Sequence, residues 1–322
     1  MKPLVIYHSD CTDGYGAAFA AWMKLGDTAE YLSMRHGDEE WIESNLCGDD
    51  LSSSLDGRDV YILDFSFDRG CMNWLLNRCR SVVWRDHHKT ALEMWCRTYY
   101  GGMQYNLIGN IGSADADILL DDNKSGALLA WEYFHPGTEV PLLIQHIDDR
   151  DRWQWKMEGS AEIHAALSAM KPWSFEQWKR DFLPADMGKP NLSFDAIASY
   201  VNLMKVGTTI LRAQKQDVEQ MAKQARKCQV RHPAGGDNEW VFANGLAVNA
   251  PLHQSEVGHV LANASGTYGL VWYVASDNHV RCSLRSNGKY DVSAIARAFG
   301  GGGHRNAAGF ETDIETLMEW LK

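Results

Sequence analysis

Three short apolar runs near the start of this chain each end in a carboxylate or an imidazole. Val5-Ile6-Tyr7-His8 leads to Asp10 and Asp13-Gly14, Val60-Tyr61-Ile62-Leu63 leads to Asp64, and Ser81-Val82-Val83-Trp84 leads to Asp86-His87-His88. β-Branched runs of this kind read as buried strands, and open parallel sheets keep their sites at the carboxyl ends of such strands. A fourth segment, Ile144 to Ile147, reads as helical and runs into Asp148-Asp149-Arg150-Asp151. Apolar elements that all deliver Asp or His to one edge predict a metal centre assembled from strand ends.

The segments between them supply the rest of an α/β fold. Gly14 to Leu25 is alanine-rich with large residues at helical spacing, Tyr31 to Met34 reads as a second strand, and Arg69 to Cys79 has helical spacing through Met72, Leu75 and Leu76. Strand, helix and strand with short links imply parallel neighbours joined by right-handed crossovers. Further helices are expected over Lys89 to Tyr99, from a Ser125 cap to Phe134, and over Ser160 to Met170 and Ser174 to Phe182. The acidic group Asp115, Asp117, Asp121 and Asp122 fits no calcium-loop spacing and reads as a solvated loop. Breakers between Leu183 and Ser193 close the first region. Asp195 to Arg226 reads as one long connecting helix, and the remainder alternates as β structure around two helices near Ser255 to Ala264 and Val292 to Phe299. The expected domains are 1–185, a linker and connecting helix at 186–226, and 227–322.

The net charge of −11 constrains the partner. Proteins that track long nucleic acids usually carry a basic groove, because counterion release supplies much of their affinity. An acidic chain is better suited to a short or small anionic substrate, gripped by a local basic pocket. Seven cysteines without close paired spacing argue against a disulfide framework and predict a reducing compartment. The N-terminus turns polar too early for a signal peptide and no apolar run is long enough for a bilayer, so a cytoplasmic protein without a membrane partner is expected. Most of the 13 tryptophans read as packing; Trp153 and Trp155, beside the fourth motif, are the better candidates for stacking on a base.

In their order along the chain, His8 to Gly14, Asp64, Asp86-His87-His88 and Asp149 resemble the motifs of the DHH phosphoesterases, the group of RecJ-type exonucleases, nano-RNases and family II pyrophosphatases. Gly300-Gly301-Gly302-Gly303-His304-Arg305-Asn306-Ala307-Ala308-Gly309 resembles the signature of the DHH-associated C-terminal domain. The resemblance implies an N-terminal parallel-sheet α/β domain joined by a long helix to a smaller α/β substrate-binding domain, with the first domain cutting what the second grips.

It also implies roles. His8, Asp13, Asp64, His87 and Asp149 would hold the metals, with Asp64 as the bridge. Cys11 stands where the family often has a carboxylate, and Asp10 is the residue that would substitute for it. The register of the fourth motif is open among Asp148, Asp149 and Asp151; the aromatic four residues on, Trp153, favours Asp149. Asp86 would orient His87 or join the ligands, and His88 would face the phosphate. Arg285, Gly302, Gly303, His304, Arg305 and Asn306 would bind substrate, the glycines by bringing backbone amides to an anion and Arg285 by bidentate contact.

Two divalent ions would activate water, neutralise phosphoryl oxygens and help the leaving group. Carboxylates with imidazole suit Mn²⁺, with Mg²⁺ or Co²⁺ as rivals. The function expected is a phosphodiesterase of the nano-RNase or small 3′–5′ exonuclease type acting on short oligonucleotides. Hydrolysis of a cyclic dinucleotide or another small phosphoester is the enzymatic alternative, and a non-catalytic nucleotide-binding protein is the other. Cleavage polarity, RNA against DNA, and the oligomeric state, a homodimer included, stay open.

Overall fold

The computed structural model describes residues 1–9, 11–35, 55–95, 105–108, 115–171, 173–182, 194–235 and 238–321. They form two compact units, Met1–Ile210 and Leu211–Lys322. Asp10, the stretch 36–54 and the breaker-rich stretch 183–193 lie outside the described residues.

The first unit is built on a six-stranded sheet in the order β2-β1-β3-β4-β6-β5. Its strands are β1 Leu4–His8, β2 Glu30–Met34, β3 Asp59–Leu63, β4 Ser81–Asp86, β5 Tyr105–Ile108 and β6 Asp115–Leu120. All pairings are parallel except that of β5 with β6. β1 leads outward to β2 on one side while β3 and β4 extend the other, so the order reverses between β1 and β3, the point where open α/β sheets open a crevice. Both faces are covered. Val5, Tyr7 and Leu63 pack under the helices Thr12–Leu25, Gly126–Phe134 and Leu142–Asp151. Leu4, Ile6, Val60, Ile62, Val82 and Trp84 pack with helix Arg69–Arg78 on the opposite face. This two-sided burial is why the strands are apolar throughout rather than alternating.

The acidic loop expected at Asp115 and Asp117 is instead strand β6. Its residues alternate: Ala116, Ile118 and Leu120 are buried, whereas Asp117 reaches Arg85 at 2.8 Å. Alternating carboxylates disguised a strand paired on both sides as a loop. Ser125 caps its helix as expected, accepting from the Leu128 amide. The long helix runs Phe194–Ala222, 29 residues, and β7 begins at Arg226.

The second unit carries a sheet ordered β11-β12-β10-β9-β8-β7, from β7 Arg226–Gly235, β8 Asn238–Asn249, β9 Tyr268–Val274, β10 Val280–Ser286, β11 Gly302–His304 and β12 Ala307–Thr312. Only β8 and β9 pair in parallel, through the crossover helix Gln254–Ser265. That helix buries Val257 and Leu261 with Val218 and Val248, and the opposite face packs Leu270, Leu284, Phe310 and Trp320. The two α/β units match the architecture expected from the sequence. No helix among the described residues is long and apolar enough to cross a membrane.

Candidate metal centre

The carboxyl edge beside the β1–β3 reversal gathers most of the expected ligands. Asp64 follows β3 directly and holds a left-handed backbone, φ 53°, that asparagine and aspartate tolerate better than other side chains. It is fully buried. Among the described residues no donor with hydrogen-bond geometry reaches either carboxylate oxygen. Their neighbours are two imidazoles, with His87 Nε2 at 3.1 Å from Oδ1 and His8 Nδ1 at 3.8 Å from Oδ2. Asp13, in the first turn of helix Thr12–Leu25, is also buried and approaches His87 Nε2 at 3.3 Å. Its two oxygens accept from the amides of Gly126 and Ala127 at 2.7 and 2.8 Å, so one helix start anchors another.

Gly126 has a steric reason. A Cβ there would lie 2.3 Å from the Cβ of Asp64. Gly126→Ala is therefore expected to cost about 2–4 kcal/mol through overpacking and a displaced Asp64, read as a lower urea midpoint. A midpoint within error of wild type would show that Asp64 can yield without cost.

The aspartates of the fourth motif have different partners. Asp149, which spacing favours, accepts from the amides of Lys156 (2.8 Å) and Met157 (3.1 Å) and from the Ser160 hydroxyl (2.6 Å). Asp148 accepts from the Ser125 amide. Asp151 is the residue that reaches the centre, with Oδ2 3.5 Å from His87 Nε2. These aspartates share one short stretch of chain, so spacing to an aromatic could not separate a loop anchor from a ligand.

Asp86, at the end of β4, positions both histidines. Its Oδ1 accepts from the His87 amide (2.8 Å) and contacts His88 Nδ1 at 2.6 Å, while Ser66 donates to Oδ2. The His88 ring is thereby fixed through Nδ1. Cys11, absent from the expected ligands, falls inside the cluster. One ligand atom each from His8, Cys11 and Asp64 lie within 4.8 Å of one another, as do those of Asp13, His87 and Asp151, and those of Asp64, Asp86, His87 and His88.

The electrostatics of this donor set call for a cation. Burial, then the neighbouring Asp13, raises Asp64 well above the usual carboxylate range, and the same two causes raise Asp151 to about 6. Burial disfavours a charged ring at His87, yet Asp64, Asp13 and Asp151 outweigh it and raise the ring to about 10; Asp86 does the same for His88, to about 9. Without metal, protons on imidazole balance the carboxylates. A divalent ion would supply that charge instead, and the hard and borderline donors fit one.

A pH dependence follows. Both rings are raised from an ordinary value of 6.5, so the metal-free fold holds these protons more tightly than the unfolded chain does. Their stabilisation is complete below 6.5 and is lost as pH climbs through 9 and 10. Metal competes for His87, so the gain in melting temperature on adding Mn²⁺ is expected to widen steadily over that range. Differential scanning fluorimetry in Mn²⁺ or chelator tests this, and a gap that narrows with pH would contradict it.

In the second unit, Arg285, Ala307 and His304 are cross-strand partners in one row of β10, β12 and β11, so Arg285 and His304 project from the same face. The Arg285 guanidinium donates to Ser283 Oγ (3.0 Å), Leu284 O (2.8 Å) and Ser255 Oγ (2.8 Å), all of them neutral acceptors. A cavity of about 550 Å³ opens on this sheet, lined by Gln254, Tyr273, Ser283, Phe299 and Gly301 among others. The amides of Gly300 and Gly301 bond to Arg297 O and Ala296 O, closing the preceding helix, and Gly302–His304 form β11. Gly303 sits at φ 132° with no room for a Cβ against Ala307 O. Gly302, Gly303, His304, Arg305 and Asn306 are exposed.

Residues 244–322 match the DHHA1 domain family. The chain is 28% identical over 318 residues to uncharacterized protein R106 of Acanthamoeba polyphaga mimivirus, covering 95% of this chain and 66% of that protein, just under two thirds of its length. Among solved structures, the pGpG-specific phosphodiesterase PggH of Vibrio cholerae is similar at a TM-score of 0.53 and 11% identity, over 99% of this chain and 96% of that one. RecJ of Thermus thermophilus, solved with Mn²⁺, aligns at a TM-score of 0.44 and 12% identity, over 99% of this chain and 50% of that one. Residues 244–322 thus carry the DHHA1 match, and they follow a largely parallel sheet whose strand β4 runs into His87-His88.

Proposed function

We propose that the chain is a metal-dependent phosphodiesterase that releases mononucleotides from short oligonucleotides in a reducing, cytoplasmic setting. The observation that carries this reading is the convergence of Asp13, Asp64, His87 and Asp151 at the sheet edge, around carboxylate oxygens of Asp64 that no hydrogen bond among the described residues satisfies. Two divalent ions, Mn²⁺ above all for the oxygen-rich side, would activate water and neutralise phosphoryl oxygens. His8, Asp13, Asp64, His87 and Asp151 would hold them. Asp149 drops out of the ligand set and becomes the anchor of the loop.

The chain's own groups supply the remaining work. His88, its Nδ1 held by Asp86, presents a charged ring to a phosphoryl oxygen. Asp86 acts through the two histidines as a positioning residue. In the second unit, Arg285 would offer a guanidinium and His304 a ring nitrogen to a phosphate, with Arg305, Asn306, Gly302 and Gly303 exposed alongside. Trp153 and Trp155 are 63% and 38% exposed, at φ 56° and 52°, and pair edge to face at 5.1 Å. Bulky side chains seldom adopt such a backbone without a role, and exposed indoles suit a stacked base. The acidic balance favours a small substrate. PggH, named for the linear dinucleotide pGpG, has this fold.

A product time course with Mn²⁺ tests the reading, with a labelled dinucleotide, a longer oligoribonucleotide and a cyclic dinucleotide offered side by side and His87→Ala as control. Mononucleotides released from the short linear substrate by wild type alone are expected. Opening of the cyclic compound alone would replace the substrate with the small-phosphodiester alternative. Nucleotide bound without turnover under any metal would make the chain a binding protein.

A further inference from the structure

We propose that His8, Cys11 and Asp64 form a nitrogen–sulfur–oxygen position that takes a thiophilic divalent ion of the zinc and cobalt(II) class, beside the harder position of Asp13, His87 and Asp151. The inference deepens the metal-centre reading above and does not depend on the substrate assigned there. Two observations carry it.

First, a ring nitrogen of His8, the sulfur of Cys11 and a carboxylate oxygen of Asp64 lie within 4.8 Å of one another, and the thiol is in no disulfide. Second, Asp64 is fully buried, one of its oxygens lies in this cluster, and neither oxygen makes a well-aligned hydrogen bond among the described residues. A buried carboxylate left in that condition costs free energy unless a cation meets it.

The chemistry of the three donors then decides the ion. Carboxylate and water suit Mn²⁺ and Mg²⁺, whereas a thiolate shifts the preference toward zinc and its analogues. Burial, followed by the charges of Asp13 and Asp151, raises the Cys11 thiol to about 11, so the free thiolate is not its resting form. Coordination exchanges that proton for the metal, and the proton leaves to solvent. The two sides of one centre thus differ in softness: an oxygen-rich side that suits Mn²⁺, and a sulfur-containing side that does not.

The experiment is a Co²⁺ titration of the chelator-stripped full chain, followed by near-ultraviolet absorption and by metal content after desalting. A thiolate-to-cobalt charge-transfer band that saturates near one equivalent is expected, with about two cobalt ions bound in total. The band should vanish in Cys11→Ser. In Cys11→Asp, where a carboxylate replaces the thiol, the ratio of Co²⁺ to Mn²⁺ affinity should fall on the order of tenfold or more.

Cobalt bound by wild type without that band would overturn the inference and leave the metal centre standing. A band that survives in Cys11→Ser, or a Cys11→Asp variant with an unchanged affinity ratio, would overturn it equally. No cobalt bound at all would remove the metal centre with it. A Cys11-dependent band in a protein that cuts no nucleotide would sustain the inference and remove only the proposed function.

Discussion

Asp64→Asn is expected to lose turnover by roughly 10³-fold, about 4 kcal/mol of barrier, while becoming more stable than wild type in chelator. Both halves follow from one environment. Asp64 contributes to two of the three donor clusters, so an amide there weakens the hold on metal from both sides. In the metal-free chain the same carboxylate is buried and faces Asp13, and these two effects outweigh the His87 ring beside it and hold it well above the usual carboxylate range. A neutral amide removes the burial cost and the repulsion, which outweigh the lost attraction to His87, for a net gain of about 1–3 kcal/mol. Asparagine also accepts the φ of 53°, so the backbone has no reason to move. Turnover and urea denaturation in chelator check the two halves separately. Turnover near wild type would strip Asp64 of its ligand role, and a large loss of stability would make it a structural residue.

Asp151 and Asp149 should fail in opposite ways. Asp151→Asn touches a side chain whose ion-pair neighbours are His87 and Arg150, both at 3.5 Å. It is expected to lower activity by about 10²-fold or more with little change in melting temperature. Asp149→Ala strips two amides and the Ser160 hydroxyl of their acceptor in a buried place. A cost of about 2–4 kcal/mol is expected, with metal content retained below the shifted melting point. If Asp149→Ala emptied the metal centre without loss of stability, the register would revert to the one favoured by spacing.

Much of this architecture was legible because burial on both faces of a sheet leaves a plain mark. β1, β3 and β4 are apolar runs that stop at a charged residue, and the structure ends each within a residue or two of that point. The order of the motifs likewise told which strand ends would meet. β6, paired between β4 and β5, escaped notice because Asp115 and Asp117 alternate onto its more exposed face, where Arg85 meets the second of them. The partners of the fourth motif were not legible because its three carboxylates point in different directions, and only the loop that folds back through Lys156 and Met157 engages Asp149. Cys11 was visible as a departure from the family, but its closeness to His8 and Asp64 is a tertiary fact. The glycine run invited an anion-binding interpretation, and hydrogen bonds to Ala296 and Arg297 show two of its amides already engaged.

The two exposed indoles beside Asp151 have a practical use. Trp84, Trp178 and Trp320 are almost wholly enclosed, whereas Trp153 stands out in solvent two residues from a candidate ligand and in edge contact with Trp155. A water-soluble quencher would reach this pair before those enclosed rings, so steady-state emission with acrylamide becomes an optical gauge of the loop. Protection of that signal by metal, by nucleotide, or only by both together would report the order in which the centre assembles, without a label attached to the chain.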